Sequence, residues 1–170
     1  MGKYEDLIAG EDGLPALTGR AWVFGDRVSR QQLLADAHLR DDAVAAAAHV
    51  FAAVDPDFAR TVQPGDFIVA GLDFAADVTQ RIVPAALKRL GVAAVIARSF
   101  GPFFLRHAVN AGLAAVVVEE TGAIRPGDRL RVDVEAHIVA NLSSGDRYVI
   151  RNLDDDAIAM LRESVAAWER

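Results

Sequence analysis

The 170-residue sequence contains no cysteine. That absence removes disulfides, thiol nucleophiles and thiolate-ligated metal centres together. Long hydrophobic runs are also missing. Although 52% of residues are apolar, no stretch approaches the roughly 20 consecutive apolar residues that span a bilayer. The N-terminal Met-Gly-Lys-Tyr-Glu-Asp leads into a mixed segment, not the apolar stretch of a secretory signal. Basic residues are outnumbered, 18 against 24 acidic, for a net charge of −6. They neither cluster nor interleave with aromatics, so neither nucleic acid nor a membrane is an expected partner. GxGxxG, P-loop, HExxH and GxSxG signatures are absent. His38 and His49 have no acidic or histidine partner at ligand spacing and read as surface or helix-face residues. No metal site is expected in this chain, and a cytoplasmic protein is the default.

What is present centres on residues 65–110. Phe67 to Leu72 is a short apolar run behind Pro64-Gly65 and reads as a buried strand. The apolar pattern breaks from Asp73 to Arg81. Pro84 to Leu90 is helical in composition, and Gly91 stops it. Val92 to Ala97 reads as the next buried strand. In open α/β sheets the junction between a strand's end and the following helix is where ligands bind.

The length suits one domain with a substantial core. Residues 1–18, with Gly10, Gly13 and Pro15, read as an N-terminal extension, and 19–170 as a single domain ending in a helix. A first strand starts at Gly19 and turns at Gly25-Asp26. Ala43 to Phe51 is helical on propensity. Pro64-Gly65-Asp66 is repeated at Pro126-Gly127-Asp128, each time ahead of an apolar strand. Gly112 to Val118 is a further buried strand. Leu130, Val132 and Val134 alternate with charged residues, as in a half-exposed strand. Ile138 to Leu142 and Tyr148 to Ile150 form a pair joined at Ser143 to Asp146. Ile158, Leu161, Val165 and Trp168 make the apolar stripe of the last helix.

Several of these stretches carry a resemblance. GDFIVAGLDF, P-A-ALKRLGVAAVIARSF and F-x-RHAVNAGL resemble the small subunit of 3-isopropylmalate dehydratase (isopropylmalate isomerase), the swivelling domain of the aconitase superfamily. The likeness runs from about Gly19 to Leu153. It implies an α/β fold of the swivelling β/β/α type. It also implies the role of small subunit in a two-chain hydro-lyase of the leucine-biosynthesis kind, acting on a small hydroxy di- or tricarboxylic acid. The implied partner is a large subunit carrying a 4Fe-4S cluster, with no cofactor bound by this chain.

The likeness fails at the reactive centre. The family's pattern there is G-D-x-I-V-A-G-x-N-F-G-x-G-S-S-R-E-H-A-P. Against it, Asp73 replaces Asn, Ala75 and Asp77 replace Gly, and residues 78–82 (VTQRI) replace S-S-R-E-H. The first of those serines is the family's catalytic base, and the arginine with nearby amides holds a substrate carboxylate. Val78 cannot accept a proton, whereas Thr79 keeps a hydroxyl. Gln80 keeps hydrogen bonding without charge, and Arg81 brings a guanidinium one position late, about 100° around a helix. Losing two glycines removes easy access to φ > 0. Residues 77–80 also have the form of a capping box, and Pro84 either kinks that helix or marks a later start.

In the preceding loop the family's N-T-D becomes Ser29, Arg30 and Gln31, either a pocket of altered charge or a solvated loop. Phe100, Phe103 and Phe104 read as core packing. His107, standing for an asparagine, is the histidine nearest the junction. The nominated catalytic residues are therefore Thr79 and His107. The nominated substrate-binding residues are Ser29, Arg30, Gln31, Asp73, Gln80 and Arg81. The alternative is a non-catalytic relative that keeps the fold and partner or ligand binding after loss of the catalytic serine.

Overall fold

The computed structural model describes residues 17–133, 136–156, 158–159 and 162–163. Among these, seven strands form one sheet: β1 Leu17–Val23, β2 Phe67–Val69, β3 Ala94–Ala97, β4 Ala114–Val117, β5 Arg129–Asp133, β6 Ile138–Asn141 and β7 Arg147–Val149. Their order across the sheet is β4-β3-β2-β1-β5-β6-β7. β1 to β4 are mutually parallel, and β5 to β7 run antiparallel to their neighbours. Three short helices, α1 (Arg30–Leu33), α2 (Ala43–Ala47) and α3 (Phe58–Thr61), lie between β1 and β2. α4 (Ile82–Leu90) connects β2 to β3, and α5 (Pro102–Ala111) connects β3 to β4.

The central strands are continuous apolar runs because both of their faces are covered. Period-two alternation sends Phe67, Val69, Ala94 and Ile96 into one core with Leu130, Val132 and Val139. It sends Ile68, Ala70, Val95 and Ala97 into another, beneath Leu33, Phe58, Leu87 and Phe104. The sheet curls until the chain after β7 runs along the free edge of β4. There Val118 bridges Ile150, Arg151 N–H donates to Val117 O at 2.8 Å, and Asn152 Nδ2 donates to Ala115 O at 2.7 Å. An otherwise open strand edge is thus closed.

The two Pro-Gly-Asp turns are built alike. Gly65 and Gly127 have φ of 94° and 84°, and the N–H of Asp66 and of Asp128 bonds the carbonyl three residues back, as in a type II turn. Each aspartate then accepts the opposing N–H, from Gln63 and Arg125 respectively, at 2.9 Å. Asp66, buried at 4% exposure, also takes Arg20 N–H and the Trp22 indole, tying β1 to the start of β2. The strand pair at 138–150 and the Gly91 stop, at φ 96°, match the sequence reading.

Three elements differ from it. The helix expected to Phe51 ends at Ala47, because Phe51 turns to φ 57°, donates its N–H to Leu33 O and stacks on Phe24 at 3.9 Å. β5 is not half-exposed: Arg131 is buried with its neighbours Leu130 and Val132 and pairs with Asp133 at 3.5 Å. Phe103 is 46% exposed beneath the Arg106 guanidinium, while Phe104 packs in the core as expected. The N-terminal extension through residue 16 lies outside the described residues, and β1 begins at Leu17. Residues 155–156, 158–159 and 162–163 are helical, whereas Leu161, Val165 and Trp168 lie outside the described residues.

Candidate functional site

Because β1 to β4 are parallel, their C-terminal ends share one side of the sheet, and the loops that follow them meet there. Gly71 N–H bonds Gly25 O at 3.2 Å, Arg27 N–H bonds Leu72 O at 2.7 Å, and Arg98 N–H bonds Gly71 O at 3.0 Å. Asp26 Oδ1 accepts Leu72 N–H at 2.8 Å. This contact requires Gly71, since a Cβ there would overlap the Asp26 carboxylate. Thr121 Oγ1, from the loop after β4, donates to Ala70 O at 2.8 Å. Four loops are thereby fastened around residues 70–73.

The junction from Asp73 to Arg81 is equally constrained. Phe74 pairs with Phe100 beyond the strand ends, through Phe74 N–H to Ser99 O and Gly101 N–H to Phe74 O. The approach is so close that a Cβ on Gly101 would overlap Ala75 O and lie 2.7 Å from Ala76 Cα. Asp73 and Ala75 adopt φ of 56° and 57°. Replacement of the glycine at position 75 has therefore not closed the left-handed region. Tertiary bonds hold it open: Ala75 N–H donates to Val28 O at 2.9 Å, and Ala75 O accepts Val78 N–H at 3.0 Å. Asp73 is held by Ser99, whose Oγ accepts its N–H at 2.7 Å.

The expected capping box at 77–80 does not form. α4 opens at Ile82 behind Arg81, which caps it with no side-chain hydrogen bond. Pro84 falls in the first turn, where a missing N–H costs no helical bond. Asp77 instead accepts the N–H of Arg30 at 2.8 Å, so the competition is won by α1 across the site. The capping box lies at α1: Ser29 Oγ accepts Gln32 N–H at 3.2 Å and Gln32 Oε1 accepts Ser29 N–H at 2.8 Å.

The nominated residues sort accordingly. Ser29 is engaged as a cap, and the Arg30 guanidinium is turned to Leu34 O at 2.9 Å and Asp36 at 2.5 Å. Gln31 is exposed beside them. Asp73, Thr79 and Arg81 are exposed, and among the described residues the Thr79 hydroxyl and the Arg81 guanidinium have no partner. Gln80 is half-buried, with its Oε1 accepting Thr79 N–H at 3.2 Å. His107 reaches from α5 to Thr79 O through Nε2 at 3.0 Å, and its Nδ1 is buried without a partner. Val78, which the resemblance sets against the family's serine, is fully buried in the helix-side core.

The sequence pointed to amides near the junction only through the resemblance, without saying which. Among the described residues, no acceptor meets the N–H of Ala76, Asp77, Gln80, Arg81 or Ile82. An uncapped helix start presents N–H groups and partial positive charge to an anion. The sequence signal was the lack of a Ser, Thr, Asp or Asn directly before Ile82. Arg27 and Ser99 were also missed. The first is exposed at φ 54° beside Leu72, and the second follows β3 closely enough to reach Asp73.

With no cysteine in the sequence and no grouping of three His, Asp or Glu side chains among the described residues that could hold a metal ion, this chain offers no ligand set for an iron–sulfur cluster. No helix among the described residues is long and apolar enough to cross a membrane.

No family model matches the chain. It is 39% identical over 149 residues to 3-isopropylmalate dehydratase small subunit 2 of Archaeoglobus fulgidus, covering 86% of this chain and 90% of that one. It is 33% identical over 148 residues to the methanogen homoaconitase small subunit of Methanothermobacter thermautotrophicus, covering 86% of each. The crystal structure of a 3-isopropylmalate dehydratase from Methanocaldococcus jannaschii superposes with a TM-score of 0.78 at 26% identity, over 91% of this chain and 99% of that one.

Proposed function

The chain belongs to the family of 3-isopropylmalate dehydratase small subunits, the small partners in two-chain hydro-lyases of the aconitase superfamily, and from that premise we propose that it binds a hydroxy di- or tricarboxylic acid at the free N–H groups before α4. One observation carries this reading: among the described residues, the run from Ala76 to Ile82 leaves five main-chain donors without acceptors, beside an Arg81 guanidinium and a Thr79 hydroxyl that have no partner there. The donors and Arg81 bind a substrate carboxylate. Gln80 and Asp73 border it and orient its hydroxyl and chain. Thr79 takes the place of the missing serine hydroxyl in moving a proton at the substrate carbon.

Ser29, Arg30 and Gln31 act at one remove. Ser29 caps α1, and Arg30 N–H holds Asp77, which fixes the junction. The large subunit supplies the cluster and closes the open side of the site, in the cytoplasm. Because this chain has no ligands for the cluster, its contribution is recognition and proton transfer.

The test is reconstitution with the cluster-bearing large subunit under anaerobic conditions, following the absorbance of the unsaturated acid with isopropylmalate, citraconate and aconitate. Thr79→Val should lower kcat by about 10²–10⁴-fold, the usual contribution of a positioned proton-transfer group, and Arg81→Ala should raise KM. Turnover unaffected by either change would overturn the assignment of this site.

A further inference from the structure

His107 has an unusual arrangement for a histidine at a site rim. Thr79 O can only accept, so the 3.0 Å contact places a proton on Nε2 and, in the neutral ring, puts the lone pair on Nδ1. That Nδ1 is buried and unpartnered. Neither ring nitrogen is therefore open to a substrate, and a direct role in proton transfer does not fit. Among the described residues the ring's one polar contact is with the Thr79 carbonyl.

The consequence lies in the peptide unit. Thr79 C=O and Gln80 N–H belong to one planar trans peptide, in which the two bonds point in opposite directions. Drawing the carbonyl towards α5 turns the Gln80 N–H away from α5. That N–H is one of the donors with no acceptor among the described residues. The peptides on either side carry only long bonds: the Gln80 side chain folds back on Thr79 N–H at 3.2 Å, and Val83 N–H meets Gln80 O at 3.4 Å.

We infer that His107 is a positioning residue, which fixes the 79–80 peptide with its N–H outward so that a substrate carboxylate meets a donor there instead of a carbonyl oxygen. Its effect on substrate rests on the reading of the site given above. The peptide orientation does not.

Two measurements separate these. In the full chain labelled with ¹⁵N and ¹³C, His107 should show the Nε2–H tautomer. The Gln80 N–H dipolar coupling and Thr79 carbonyl shift should change in His107→Ala and return in His107→Gln, whose amide can donate from a similar position. An Nδ1–H tautomer, or unchanged Thr79 and Gln80 signals in a folded His107→Ala chain, would overturn the inference. In the reconstituted enzyme, His107→Ala should raise KM about tenfold with kcat within about threefold, and His107→Gln should restore it. A fall in kcat with KM unchanged would instead make His107 part of the chemistry, contrary to the inference. If the wild-type complex turned over none of the acids, the reading of the site would fail while the spectroscopic result still decided the role of His107.

Discussion

Val78→Ser introduces the hydroxyl that the resemblance implies for this position, and the structure requires that it fail. Val78 is fully buried, within the core that includes Phe74, Leu87 and Phe104. The substitution removes two buried apolar carbons, at about 0.8 kcal/mol each. It also introduces a hydroxyl among apolar groups, at about 1–3 kcal/mol if unpaired. One relief is Ala75 O, which already accepts the residue 78 N–H at 3.0 Å and has a second lone pair. The expected net loss is therefore about 2–4 kcal/mol. Urea unfolding should show a lower midpoint with an unchanged slope, and turnover in the reconstituted complex should not rise, because the hydroxyl points into the core. A variant as stable as the parent and with higher turnover would show that residue 78 faces the site. The assignment of proton transfer to Thr79 would fall with it.

Two further outcomes follow from the same geometry. Gly101→Ala forces the α5 entry away from Ala75 O and Ala76 Cα, so stability should fall by about 1–3 kcal/mol, with amide exchange increasing at residues 74 and 75. Protection unchanged at those residues would refute the close approach. Asp128 has its carboxyl held below the ordinary 3.8, first by the Arg125 N–H and then by the Asn141 amide, against a smaller opposing effect of burial. A lowered folded value stabilises above 3.8 and is lost as pH falls through that lower value. Asp128→Asn should therefore flatten the acid limb of the stability–pH curve below about pH 4, measured by urea midpoints. An acid limb as steep as the parent's would remove Asp128 as a contributor.

What was legible in the sequence was whatever depends on a residue's own chemistry or on burial from both sides. Pro-Gly-Asp dictates a type II turn wherever it occurs, because proline sets one φ, glycine permits the positive one and aspartate reaches back to the opening N–H; both copies behave so. β2, β3 and β4 are apolar throughout because both sheet faces are covered, which left their existence visible and their ends uncertain. The junction was misread where local propensity met a competing tertiary partner. Asp77 has the spacing to cap a helix that would include Gln80, yet its carboxylate goes to Arg30 N–H, 47 residues away in sequence. Ala75 should avoid positive φ, yet bonds to Val28 and Val78 on either side of its peptide units hold it there. These two misreadings have one cause and a functional consequence. With Asp77 drawn to α1, no side chain among the described residues caps α4, and the donors that a local cap would have consumed keep no acceptor there. The backbone from Ala76 to Ile82 thus keeps N–H groups with no acceptor among the described residues, whatever side chain stands at residue 78. The site is better described by its unmet N–H groups than by its side chains, and a sequence motif, which records only side chains, could not display it.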